Sequence, residues 1–190
     1  SAFDVDVWPS SGCVPLSVTL ADAAPTGELD YAWSYGDGSS SIQDTPLHVY
    51  ELPGTYDVTV SAVSTGNCPA SISFVVADAV TVYPAPEAGF IVSPQVVELL
   101  EPVVQIESLT QTSSAVTYWM SDGGSLGQPN GQYIFSDGGT FEVIQTVTSP
   151  YGCTSTAWGE VVVNGTIFHA PTAFTPDQDG LNDVWLPLAP

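Results

Sequence analysis

The side chains best suited to chemistry in this chain are oxygen donors near its C-terminal end. In AFTPDQDGLNDVW, residues 173–185, Asp177, Asp179 and Asp183 crowd around Gly180, and the backbone carbonyl of Leu181 falls between the last two carboxylates. Hard cations take several oxygens from carboxylates and main-chain carbonyls, with a glycine permitting the sharp bend. The spacing therefore raises a calcium site at Asp177, Asp179, Leu181 and Asp183. Thr175 stands where a calcium loop would have its first Asp, and no bidentate Glu closes the set, so a hydrogen-bonded Asx-rich turn accounts for the same residues. A secretion address is the third reading of this stretch.

Catalysis finds little support. His48 and His169 are the two histidines, there is no Lys or Arg to act as nucleophile or anion clamp, and no G-x-S-x-G, H-E-x-x-H or P-loop pattern occurs. A carboxylate pair is all that glycoside hydrolysis requires, but 21 scattered acidic residues make such pairs a product of composition. No catalytic residue is assigned and the chain is expected not to be an enzyme. His48, two residues from Tyr50, is expected to be a packed or hydrogen-bonded imidazole rather than a metal ligand. Trp8, Trp158 and Trp185 have no evident core role and are candidates for a glycan-stacking platform. Asn164-Gly165-Thr166 fits the N-glycosylation acceptor pattern.

Charge narrows the partners. The formal net charge of -21, with no cationic side chain to offset it, excludes phosphate-directed nucleic-acid binding and makes anionic lipid a poor partner. The carboxylates are dispersed, 10 in residues 1–84, 8 in 85–168 and 3 beyond, as on a solvated surface. Proteases that cut after Lys or Arg find no site. No run of 18 apolar residues and no charged n-region with an apolar core occurs, so a soluble chain whose export signal has been removed is expected, without membrane insertion.

The elements that position these residues are strands. In TYDVTVSAV, Tyr56, Val58, Val60 and Ala62 alternate with Asp57, Thr59 and Ser61, and FDVDV sets Phe3, Val5 and Val7 against Asp4 and Asp6. LSVTLAD, SISFVVAD, PVVQIESL, TFEVIQTV and GEVVVN continue the series, and no segment carries a capped 3.6-residue period. The chain also repeats itself: WSYGDGS from Trp33 matches WMSDGGS from Trp119, GTYDV from Gly54 matches GTFEV from Gly139, and GNC ending at Cys68 matches YGC ending at Cys153, at offsets of 85 or 86 residues. Two copies of one domain are therefore predicted, at 1–84 and 85–166, joined end to end through Pro84 and Pro86, with an extended tail over 167–190.

Trp33–Gly38, His48–Tyr50 and Pro53–Val58 resemble the hallmarks of the polycystin-type (PKD) domain, with Tyr35 in the aromatic slot. The second copy is diverged, with Asp122-Gly123-Gly124 in place of the Gly-Asp-Gly and Tyr133 and Phe135 where His48 and Tyr50 stand. The resemblance implies an all-β immunoglobulin-like sandwich serving as spacer or adhesive module. Trp33 and Trp119 are then expected at the sandwich centres. Asp37-Gly38 and Asp122-Gly123 supply the positive φ of tight hairpins. Cys13 and Cys68 are expected to form a disulfide, which leaves Cys153 buried and free or linked between molecules.

Residues 167–187, IFHAPTAFTPDQDGLNDVWLP, are similar to the start of the gliding-motility-associated C-terminal family, the type B sorting domain of type IX secretion. That resemblance implies export to a bacterial cell surface or release from it. A non-catalytic extracellular stalk, adhesin segment or fibre subunit is expected, partnered by copies of itself or by other modules of the same surface protein. Two alternatives stand beside it: a filament subunit whose tail is a donor strand for a neighbouring copy, and a carbohydrate-binding accessory module with glycan partners.

Overall fold

The computed structural model describes residues 4–25, 28–65, 70–110 and 115–165, and every regular element among them is a β-strand. The calcium candidates Asp177, Asp179, Leu181 and Asp183 lie outside the described residues, as do Cys68, His169, Trp185 and the tail as a whole. Within the described residues the chain divides into two compact units, one of 4–86 with 148–155 and one of 87–147 with 156–165.

The first unit is a sandwich of two sheets. One sheet has the order β1 (Val5–Trp8), β3 (Leu16–Asp22), β6 (Leu47–Tyr50). The other has the order β2 (Ser11–Cys13), β8 (Ser71–Tyr83), β7 (Gly54–Ser64), β4 (Leu29–Ser34), β5 (Ser40–Ser41), with β2 parallel to β8. Strict alternation drives the packing: Tyr31 and Trp33 of β4 and Val58, Val60 and Ala62 of β7 point inward against Leu16, Val18 and Leu20 of β3. Trp33 is buried as expected and donates its indole N–H to the Gln43 carbonyl at 2.9 Å. That bond answers the need of a buried polar group for a partner. An irregularity in the β7–β8 ladder leaves Asp78 at φ 52°, its N–H held by Asp57 Oδ1 at 2.8 Å.

The second unit repeats the plan. Its sheets are β14 (Asn130–Ile134), β11 (Val103–Ser108), β9 (Phe90–Ser93) and β10 (Val96–Glu98), β16 (Thr154–Asn164), β15 (Gly139–Thr148), β12 (Ala115–Met120), β13 (Ser125–Leu126). The core differs from expectation at its centre. Val116, Tyr118 and Met120 point inward on β12, which turns Trp119 outward and leaves it 48% exposed. The period of two settles this: Tyr118, not Trp119, stands 85 residues after Trp33, in step with Asp122 after Asp37 and Phe135 after Tyr50.

The expected Cys13–Cys68 bridge is likewise corrected. Cys13 bonds to Cys153, with Cα atoms 5.5 Å apart, and the segment 148–155 that carries Cys153 groups with the first unit. Cys13 pairs with Tyr83 at one end of β8, whereas Ser71 begins that strand at the other. At ~3.3 Å per residue that separation is roughly 40 Å. A disulfide requires Cα atoms within ~7 Å.

Candidate functional site

The residue types of hydrolytic chemistry meet at one place in the first unit, the turn between β4 and β5. Gly36 and Gly38 adopt φ of 81° and 94°, which reverses the chain and presents Asp37 to its neighbours. Asp37 Oδ1 accepts the Ser39 N–H at 2.9 Å and the Ser39 hydroxyl at 2.6 Å, while Oδ2 lies 2.7 Å from His48 Nε2. His48 stacks flat on Tyr35 at 4.1 Å and meets Tyr50 edge-on at 4.6 Å. The Tyr50 hydroxyl donates to the Tyr35 carbonyl at 3.0 Å, and burial, followed by the Asp37 charge, pushes the Tyr50 phenol well above its ordinary range. Partial burial alone would raise Asp37, but the hydrogen bonds from Ser39 and His48 outweigh it and hold the carboxyl below the usual value.

Serine, histidine and aspartate are thus assembled, yet in the wrong order for nucleophilic catalysis. A triad needs Asp on one imidazole nitrogen and Ser on the other. Here the carboxylate and the more distant Ser39 Oγ, at 3.5 Å, both face Nε2, and the serine proton is directed to Asp37. The hydroxyl is consumed as a turn clamp. What the cluster does is pin β6 to the β4–β5 turn.

The second unit carries the counterpart 85 residues on. Asp122 accepts the Gly124 N–H at 3.0 Å, and Tyr133 replaces the imidazole, its hydroxyl donating to the two carboxylate oxygens at 2.8 and 2.9 Å. Burial, then the Asp122 hydrogen bond and charge, push the Tyr133 phenol up to about 12. A Cβ at Gly124 would overlap that hydroxyl, so glycine is what lets the tyrosine reach. Gly123, like Gly38, has the expected positive φ, 95°.

Three further surfaces lie away from the two clamps. An open depression of about 540 Å³ in the first unit is lined by Asp22, Glu28, Asp30, Asp44 and Tyr31; the Tyr31 hydroxyl donates to Asp22 Oδ2 at 3.0 Å, and burial and that bond raise its phenol to about 12. Among the described residues no group of three or more His, Cys, Asp or Glu is placed to hold a metal ion. Among the described residues, the first half of β8 pairs with β7 on one side, while β2 reaches only Thr81–Tyr83 on the other, leaving Ser71–Val76 as an uncharged edge with Ile72, Phe74 and Val75 exposed. On the second unit, Trp158 is 79% exposed on β16.

Trp8, the remaining described candidate for stacking, is 77% exposed at the end of β1. Asn164 is exposed at the end of β16 with its amide donating to Glu98 Oε1 at 3.0 Å. Sequence reasoning missed Gln145, fully buried on β15: its Oε1 accepts the Gly89 N–H at 2.7 Å and its Nε2 donates to Ser108 Oγ and Tyr118 Oη at 3.0 Å each. The signal was a lone amide within the apolar set Val143, Gln145, Val147.

Among solved structures, the chain is similar to the fibronectin(III)-like modules of Clostridium thermocellum CbhA, at 12% identity and a TM-score of 0.41, covering 85% of this chain and 95% of that one. Murine CEACAM1b is similar at 10% identity and a TM-score of 0.39, covering 85% and 100%. The amphioxus IgVJ-C2 molecule follows at 13% identity and 0.34, covering 80% and 99%. No curated protein matches the sequence. The family model that matches is that of the PKD domain, over residues 8–78, the stretch that holds Trp33, the Asp37 turn and His48. Residues 8–78 of this chain are a PKD domain.

Proposed function

We propose that the chain is a non-catalytic adhesive or structural segment of a bacterial surface protein, exported and held outside the cell. The observation that carries this reading is the Asp37–Ser39–His48 cluster. Residues able to do chemistry are bound to one another as a clamp inside a PKD domain. The Cys13–Cys153 bridge suits an oxidising compartment, and the likeness of residues 167–187 to a sorting domain supplies the export route. Calcium at Asp177, Asp179, Leu181 and Asp183 belongs to this reading as a stabiliser of the tail. Antibody labelling of intact cells of the source organism tests it: labelling before lysis is expected, and signal only after lysis overturns it.

The open edge Ser71–Val76 favours a second reading, a filament in which the tail of one copy adds a strand to β8 of the next. Edges are ordinarily blunted by Lys or Pro, and this edge has neither. Electron microscopy separates the two. Filaments that vanish when residues 169–190 are removed support the donor strand, and monodisperse particles in the presence and absence of calcium reject it.

A further inference from the structure

We propose that the outer face of the five-stranded sheet in the second unit is a binding platform for an uncharged, extended β-linked polysaccharide, with Trp119, Ile144 and Trp158 as its stacking row. This deepens the adhesive reading and rests on it. The three residues sit on the adjacent strands β12, β15 and β16, each at an outward position of its strand's alternation. The Ser121 N–H to Glu142 carbonyl bond fixes one ladder, and two antiparallel steps from it bring Trp119 beside Ile144. The Ser149 N–H to Cys153 carbonyl bond fixes the other, and stepping back from it brings Ile144 beside Trp158. Glu142, Ile144, Thr156 and Trp158 line one shallow recess. Strands lie ~4.8 Å apart, so the two indoles are centred on strands about 10 Å apart with a branched aliphatic side chain between them.

The chemistry of the rest of the face selects the ligand. The apolar row is one residue wide, and its neighbours on the same side are Thr117, Glu142, Thr146, Thr156 and Glu160. Such a strip suits a molecule with apolar ring faces and hydroxyl-bearing edges, which describes a pyranose; a protein partner would ask for a broader apolar patch with a polar rim. A row that crosses three adjacent strands favours an extended chain over a coiled one. Charge selects further, because a chain of formal charge -21 with no Lys or Arg repels sulfated and uronic polymers. The first unit provides an internal control: its row at the same sheet position is Ser34, Thr59 and Val75, with no aromatic ring.

The test uses the full chain with cellohexaose, xylohexaose and chitohexaose as probes, maltohexaose as the coiled control and dextran sulfate as the anionic one, read by tryptophan fluorescence and affinity electrophoresis. Binding to at least one β-linked probe is expected, weakened roughly 10-fold or more by Trp158→Ala and by Trp119→Ala, abolished in the double variant and unchanged by Trp8→Ala. Retained far-ultraviolet circular dichroism and urea midpoint certify the fold of each variant. Absence of binding to all three β-linked probes, or binding that survives the double variant, overturns the proposal. Self-association that the double variant removes reassigns the face to a second copy and overturns it equally. Labelling of intact cells reads surface display separately, so loss of the platform and loss of the adhesive reading are told apart.

Discussion

The β4–β5 turn of the first unit and the β12–β13 turn of the second are closed by the same carboxylate through different partners. Each accepts the backbone N–H two residues on; beyond that, Asp37 is held by an imidazole and the Ser39 hydroxyl, Asp122 by a phenol. The geometry is shared, since in each case a ring two residues before the next core aromatic reaches back over the turn. What differs is the response to pH and the tolerance of the turn to a Cβ. The cores differ in a parallel way. Trp33 fills the first centre and needs one hydrogen bond to the Gln43 carbonyl. Tyr118, with less volume, brings in Gln145 and a chain of bonds running from Gly89 through Gln145 and Tyr118 to the Pro129 carbonyl. A repeat can evidently keep its register while exchanging bulk for polar connectivity.

The largest expected effect breaks the comparison of cores. Trp33→Ala removes the biggest fully buried side chain and leaves a cavity, costing ~3–5 kcal/mol. Gln145→Ala orphans the Gly89 N–H and takes a partner from Tyr118 and Ser108, costing about 1–3 kcal/mol. Urea denaturation measures each. A Gln145→Ala loss larger than that of Trp33→Ala would mean that the polar chain, not bulk, carries the second core.

Much of this was legible in the residues because a period of two is robust. Tyr56, Val58, Val60 and Ala62 point as their spacing requires, and the Gly38 and Gly123 turns carry the positive φ that Asp-Gly announces. The errors arose where identity was matched in place of register. Two tryptophans invited alignment, yet Trp33 and Trp119 are 86 residues apart while the strand positions repeat every 85, and one residue of slip turns a core side chain into a surface one. The disulfide failed for a related reason. Sequence separation gives loop length but not which end of a 13-residue strand a cysteine occupies. The exposed row Trp119, Ile144, Trp158 was hidden because it assembles across three strands, each contributing one residue.

A middle-sized effect sharpens the comparison of turns. Gly36 has φ of 81°, and a Cβ there would stand 2.5 Å from the Asp57 carbonyl, whereas Gly38 and Gly123 have similar φ but open space around the missing Cβ. Gly38→Ala and Gly123→Ala are therefore expected to cost about 1 kcal/mol each, the left-handed penalty alone. Gly36→Ala should cost about twice as much or more, since backbone must move as well. Equal losses at the three positions would show that the β4–β5 turn shifts freely against β7.

The smallest effect at neutral pH is the most diagnostic for the two clamps. Tyr133→Phe removes an exposed-side hydrogen bond to a carboxylate, about 1 kcal/mol, and its signature is alkaline. The folded phenol titrates near 12, the unfolded one near ~10. Between those values the unfolded chain sheds a proton that the folded chain keeps, so stability falls as pH rises through that window, and the variant should lose the part of that slope due to Tyr133. Asp37 has the opposite sign. Its folded carboxyl lies below the ordinary value, so its contribution is present above about pH 4 and lost as pH falls through the folded value. His48→Phe keeps an aromatic ring beside Tyr35 but donates nothing to Asp37, so it should flatten the acid limb if the imidazole bond helps to lower that carboxyl. An acid limb that persists in His48→Phe would assign the lowering to Ser39 alone, and the serine, not the ring, would then be the member that holds the carboxylate ionised.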